Sequence, residues 1–305
     1  MVPDASAVLA PGRWEHRMVA ANGARFHVAT LGDGPLVLFL HGFPECWWAW
    51  RHQLGPVSDA GMRAAAMDLR GYGASDKPPR GYDPRTLAND VAGVVRSLGA
   101  ADAVLVGHGW GGTLAWTVAA LHPRLVRRVC VVAAPHPRRT RTALLLDPRQ
   151  LRASRHLVGF QSPVLPERRL VAEDAALVVR LLARWSGPGW PDPETAEFYR
   201  TAIRVPGVAH SSLEGWRWTL RSVPRSDGAR YYRAMKRPIL VPVLQLHGQL
   251  DQAVLPTSAQ GSSHYVRAPY RWRSLPDVGH FPHEEAPGAF TTELLGWLTD
   301  PEPDR

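Results

Sequence analysis

Residues 104–113, Val104-Leu-Val-Gly-His-Gly-Trp-Gly-Gly-Thr113, restrict the folds open to this chain more than any other stretch. A short apolar β-type run ends at Val106. Glycines crowd positions 107, 109, 111 and 112, and a helix of small and apolar residues (Leu114, Ala115, Trp116, Val118) starts at once. A strand that turns this sharply into a helix fits the pattern G-x-nucleophile-x-G, in which the central side chain stands at the tip of the turn. The centre should hold Ser, Cys or Asp. It holds Gly109, which has no side chain.

The sequence around this stretch alternates strand and helix. Asn22-Gly23 is a hairpin signal between two weakly alternating segments within 13–31. Leu36–Leu40 is a continuous apolar run, as expected of a strand buried on both faces of a parallel sheet, and Met62–Met67 and Val126–Ala133 read as further strands. Thr86–Leu98 has helical periodicity. The alternation stops after Pro135. Residues 136–237 contain no buried-strand run and read as helices over Pro148–Val158, Val171–Trp185, Pro193–Ile203, Ser211–Leu220 and Gly228–Met235. Strands resume at Val241–His247 and Tyr270–Leu275, and 300–305 reads as a polar tail. The expected architecture is α/β. A mostly parallel, doubly wound sheet is built from 1–135 and 238–305, and a helical lid is inserted over 136–237.

Composition excludes several functional classes. The formal charge of +9 comes almost entirely from arginine, since Lys77 and Lys236 are the only lysines. The arginines are mostly scattered, not gathered into the basic face that a nucleic-acid binder needs. Two distant cysteines, Cys46 and Cys130, read as buried thiols rather than a disulfide framework. No apolar run approaches the ~20 residues of a membrane span. Residues 1–13 lack the basic and apolar regions of a signal peptide. A cytoplasmic location is the expectation, with no metal or cofactor and with a homodimer compatible.

Five motifs occur in order: His41-Gly-Phe-Pro-Glu45, Asp68-Leu-Arg-Gly-Tyr-Gly-Ala-Ser-Asp-Lys-Pro78, Gly107-His-x-Trp-Gly-Gly112, His247-Gly-x-x-Asp251 and Gly279-His-Phe-Pro-His-Glu-Glu285. Together they resemble the epoxide hydrolase branch of the α/β-hydrolases. The resemblance implies the α/β-hydrolase fold and a small apolar substrate. It also implies an oxyanion hole made by the N–H groups of Phe43 and Trp110, and a His280–Asp251 pair that activates water. Acid then histidine, both after the elbow, is the chain order this fold requires. His41, Pro44, Trp47 and Trp216 are the expected substrate-facing residues. Asp68 and Arg70 are expected to hold their loop, and His283 to start a helix.

Two departures from the family pattern stand out. The family places aspartate at position 109, where its carboxylate attacks the epoxide carbon and forms an ester. Glycine cannot attack, although it enters the strained elbow conformation freely. The family also uses lid tyrosines to protonate the opening epoxide oxygen. The corresponding segments hold Gly215-Trp216 and Arg155-His156, and Tyr231 and Tyr232 remain as substitutes, although they read better as core packing. Gly107-x-Gly109-x-x-Gly112 also matches a dinucleotide fingerprint, but no acid follows the next strand, which argues against nucleotide binding. Two readings remain open. One is a hydrolase with altered chemistry, in which His280 and Asp251 activate water directly. The other is a catalytically inactive relative that binds a small ligand or a partner.

Overall fold

The computed structural model describes residues 3–300, so residues 301–305 of the expected polar tail lie outside the described residues. Eight strands form one sheet: β1 (Glu15–Ala21), β2 (Ala24–Leu31), β3 (Leu36–Leu40), β4 (Arg63–Met67), β5 (Ala103–His108), β6 (Val126–Val132), β7 (Val243–Gly248) and β8 (Tyr270–Leu275). Their spatial order is β1-β2-β4-β3-β5-β6-β7-β8. β1 and β2 pair antiparallel across the Asn22-Gly23 turn, β2 pairs antiparallel with β4, and all later pairs are parallel. The uninterrupted apolar runs follow from this topology. Every residue of β3 and β5 is buried, because helices cover both faces of the sheet centre. Each buried Val, Leu or Phe side chain there contributes about 1.5–3 kcal/mol.

The sheet is flanked by α1 (Arg51–Asp59), α2 (Pro84–Ser97) and α3 (Gly109–Leu121). Asp83 caps α2 through Arg85 and Thr86, with Pro84 in the first turn, a common helix start. Between β6 and β7 lie α4 (Pro137–Leu146), α5 (Pro148–Ala153), α6 (His156–Gly159), α7 (Leu165–Trp185), α8 (Pro193–Arg204), α9 (Val208–Arg221) and α10 (Ser226–Ala234). These depart from the sequence expectation in three places, the first being the single helix expected over Pro148–Val158, which is divided into α5 and α6. α4 was not expected, because Pro137-Arg-Arg-Thr-Arg-Thr precedes its apolar residues. α7 begins earlier than Val171 and is broken at 172–175, where Glu173, Asp174 and Ala175 have positive φ. Short α11 (Pro256–Gln260), α12 (Pro282–Glu285) and then α13 (Pro287–Thr299) complete the chain. Cys46 and Cys130 are free and buried. Among the described residues no helix is long and apolar enough to cross a membrane.

The loop after β4 is held by buried charge. Asp68 accepts hydrogen bonds from the N–H groups of Trp47 (2.9 Å) and Ala74 (2.9 Å) and contacts His27 Nδ1 at 2.8 Å. Arg70 forks onto Asp90 at 2.6 and 2.7 Å, with both side chains buried. Both residues therefore have the loop-holding environment expected of them.

His136, at the start of α4, stacks on Tyr265 with ring centroids 4.2 Å apart, and its Nδ1 accepts from Arg138 N–H at 3.3 Å. Burial pushes its pKa down to about 3. The unfolded chain takes up this proton near pH 6.5, so the folded state is fully favoured above that pH and loses stability as pH falls toward the folded value. His136→Asn keeps a capping acceptor but does not titrate. In urea titrations, wild type should lose about 2 kcal/mol more than His136→Asn between pH 7 and pH 5. Equal losses would disprove this linkage.

Candidate active site

The elbow lies between β5 and α3, and Gly109 at its tip has φ +51°. Close backbone packing accounts for its glycines. A Cβ on Gly111 would overlap the Leu40 carbonyl oxygen and lie 2.6 Å from that of His41; a Cβ on Gly112 would lie 2.6 Å from Ala134 Cβ. Gly109 is different. A Cβ there would meet His280 Nε2 at 3.6 Å and Gly42 Cα at 3.7 Å, which are ordinary contacts. Space for a side chain is present, and it faces the histidine.

His280 follows β8 and Asp251 follows β7, and the two meet at 2.8 Å between Nδ1 and Oδ2. The other Asp251 oxygen accepts from Ala253 and Val254 N–H at 2.8 and 2.9 Å. Burial works against the Asp251 charge, but His280 and His247 hold its pKa well below the usual carboxylate range. His247 Nε2 lies 3.1 Å from Asp251, a second partner that sequence reasoning did not identify; its signal is the four-residue spacing between the two. His280 is 6% exposed, and its backbone N–H is fixed on Trp185 O at 2.8 Å. Its Nε2 has no hydrogen-bond partner among the described residues.

Phe43 and Trp110 stand on either side of the elbow. Neither backbone N–H has a partner among the described residues, and that of Trp110 belongs to the open first turn of α3. Behind them lies a buried cluster. Glu45 Oε2 accepts from Gly42 N–H at 2.7 Å and faces His108 Nδ1 at 2.7 Å, while Oε1 lies 3.1 Å from His283 Nε2. His108 Nε2 faces the carbonyl of His280 at 2.8 Å. Both His108 nitrogens therefore meet acceptors. Burial opposes a charge on this ring, but the Glu45 carboxylate and the His280 carbonyl raise its pKa above the ordinary value. Burial likewise opposes the Glu45 charge, and the two histidines hold that carboxyl well below its ordinary range. The ligand atoms of Glu45, His108 and His283 all lie within 4.8 Å, the only such three-residue group among the described residues. Glu45 Oε1 and both ring nitrogens of His283 are buried without a hydrogen-bond partner among the described residues. His283 begins α12 as expected, but its ring is turned into this cluster.

A cavity enclosing about 1000 Å³, its mouth included, opens over the elbow. Gly109, Phe43, Trp110, Trp216, His156 and His280 are among its lining residues. Trp216 is where the sequence placed it, 5.2 Å from Trp110 between ring centroids. Gly215 is small for a physical reason: a Cβ there would lie 2.7 Å from the Trp110 ring. The other three expected substrate-facing residues do not line the cavity. His41 is buried behind it, accepting from Leu69 N–H at 3.0 Å and packing edge-on to Tyr72. Pro44 follows a cis peptide bond and is not among the lining residues. Trp47 points the other way, donating to Val8 O at 2.8 Å and packing against Trp14, His16 and His27. Tyr231 is buried in the core and Tyr232 packs against it, as expected, and both also line the cavity; the Tyr231 hydroxyl meets that of Thr117 at 3.0 Å. His156 turns Nδ1 to Ala153 O at 3.2 Å, and burial lowers its pKa to about 4.

The fold and the elbow define a class, and the comparisons agree. Residues 35–287 match the family model described as alpha/beta hydrolase fold, and the chain belongs to that family. Within it the chain is epoxide hydrolase-like. It is 35% identical to epoxide hydrolase 3 of Xenopus tropicalis over 282 residues, covering 87% of this chain and 72% of that protein. It is 29% identical to epoxide hydrolase A of Mycobacterium tuberculosis, covering 93% of this chain and 97% of that one. The crystal structure of epoxide hydrolase A from Mycobacterium thermoresistibile superposes with a TM-score of 0.82 at 25% identity, covering 95% of this chain and all of that one (100%).

Proposed function

We propose that this chain hydrolyses a small apolar ester or similarly activated electrophile through a water activated by His280. The observation that carries this reading is the free His280 Nε2, backed by Asp251 and facing the unfilled space at Gly109. In this reading the water oxygen attacks the electrophilic carbon while its proton passes to Nε2. The developing oxyanion is held by the N–H groups of Phe43 and Trp110, and the imidazolium then protonates the leaving oxygen. Asp251 fixes the ring orientation and stabilises its charge. Residues 136–237 act as the cap over the cavity, and Trp110 and Trp216 supply an apolar wall.

The competing reading is a binding protein without turnover, favoured by the glycine at the nucleophile position. Assays on nitrophenyl esters and styrene oxide separate the two. The expected result is slow ester turnover that falls by about 10²–10⁴ in His280→Ala. Ester turnover that is absent, or unchanged in His280→Ala, sinks the hydrolytic reading. Apolar ligands that still raise the Tm would then support binding alone.

A further inference from the structure

The elbow keeps the partners of a negative charge but supplies no charge of its own. The N–H groups of Phe43 and Trp110 are unpartnered among the described residues. The latter opens the 13-residue helix α3, whose N-terminus carries a partial positive charge. His280 is an independent third contributor, more than nine-tenths buried, with Nε2 unpartnered and directed at the space open at Gly109. The charges nearby are already compensated. Asp251 lies on the far side of the His280 ring, and Glu45 is engaged by Gly42 N–H, His108 and His283. No Asp, Glu, Lys or Arg is among the residues lining the cavity, and His156 is held neutral by burial.

We propose that the elbow is an anion subsite that takes the carboxylate of a small apolar carboxylic acid. The carboxylate lies in the space open at Gly109, against the two N–H groups and His280, and the hydrocarbon body lies between Trp110 and Trp216. Carboxylates suit this site because two backbone donors and, once the acid's own proton has passed to His280 Nε2, an imidazolium N–H match two oxygens. Charge-assisted hydrogen bonds are also roughly twice as strong as neutral ones. An aspartate at this position would both fill the space and repel such a ligand, so the subsite follows from the glycine. The proposal rests on the oxyanion reading given above but does not depend on turnover. If esters are hydrolysed here, the acid half is the product that stays bound.

The test is calorimetric titration of the full chain with 1-naphthylacetate and its neutral isostere 1-naphthylacetamide. The acid is expected to bind at least about tenfold more tightly than the amide. In Gly109→Asp both ligands should weaken, because the new side chain fills the space, and the acid should weaken by at least about tenfold more than the amide, because the carboxylates also repel each other. Far-UV circular dichroism and the midpoint of urea unfolding serve as the folding control. If that variant fails to fold, His280→Gln takes its place, with acid preference again expected to fall. Equal binding of acid and amide by wild type overturns the proposal, and so does a preference that survives in the folded variants. Nitrophenyl ester turnover, measured on the same preparations, is read separately. Acid preference without turnover removes only the hydrolytic reading, and turnover without acid preference removes only this one.

Discussion

Gly109→Asp is expected to raise kcat/KM for styrene oxide by at least about 10³ over wild type, because in a comparable covalent mechanism loss of the nucleophile costs about 10⁶. The site has room for the change. The new Cβ would make only ordinary contacts with His280 Nε2 and Gly42 Cα, at 3.6 and 3.7 Å. The left-handed backbone, at φ +51°, costs a non-glycine residue roughly 1–2 kcal/mol, and aspartate is among the side chains that visit this region most readily. The carboxylate would then stand beside the His280–Asp251 pair that must hydrolyse the ester. Mass spectrometry in a single turnover should detect the alkylated protein, with its lifetime extended in the double variant that also carries His280→Ala. A folded Gly109→Asp protein with no gain would place the deficit among residues 136–237, where His156 lines the cavity and holds Nδ1 on the Ala153 carbonyl.

Gly111→Ala, two residues away, should behave in the opposite way and destabilise the protein by about 4 kcal/mol or more. Its methyl group would press on the carbonyl oxygens of Leu40 and His41, which are backbone atoms at the end of β3 and cannot swing aside. Helix α3 would have to lift off the sheet and carry the elbow with it. Gly109→Ala, by contrast, should cost only roughly 1–2 kcal/mol, all of it from the backbone conformation. The midpoint of urea unfolding, compared across the two variants, decides the matter. Similar midpoints would contradict the division of these glycines into packing and non-packing roles.

The sheet and the order of the site residues were legible from sequence because their causes are local. Continuous apolar runs mark strands covered on both faces, Asn22-Gly23 marks a hairpin, and short motifs at strand ends place Asp251 and His280 in register with the elbow. Less legible was anything decided by the direction of a side chain. Trp47 and Trp48 are neighbours in a tryptophan-rich turn. Trp47 packs against Trp14 and the β1–β2 histidines, and Trp48 stacks on Phe198. Neither reaches the cavity, and residue type alone does not say so. Gly215 is likewise understood only once the Trp110 ring is seen against it. α4 escaped the helical pattern because it carries no apolar stripe, and Leu145 and Leu146 are exposed. The Glu45–His108–His283 cluster joins residues 63 positions apart and more, a relation that no local pattern records.

Through that cluster, His108 fastens the loop carrying Phe43 to the loop carrying His280, using one ring nitrogen for each. Neither attachment passes through the side-chain position at 109, so the donors and the histidine hold their places whatever residue stands there. In genetic terms the distance is small, since one base change converts the glycine codons GGC and GGT into the aspartate codons GAC and GAT. The gain expected of Gly109→Asp therefore lies one nucleotide away, with the backbone donors and His280 already fastened in place.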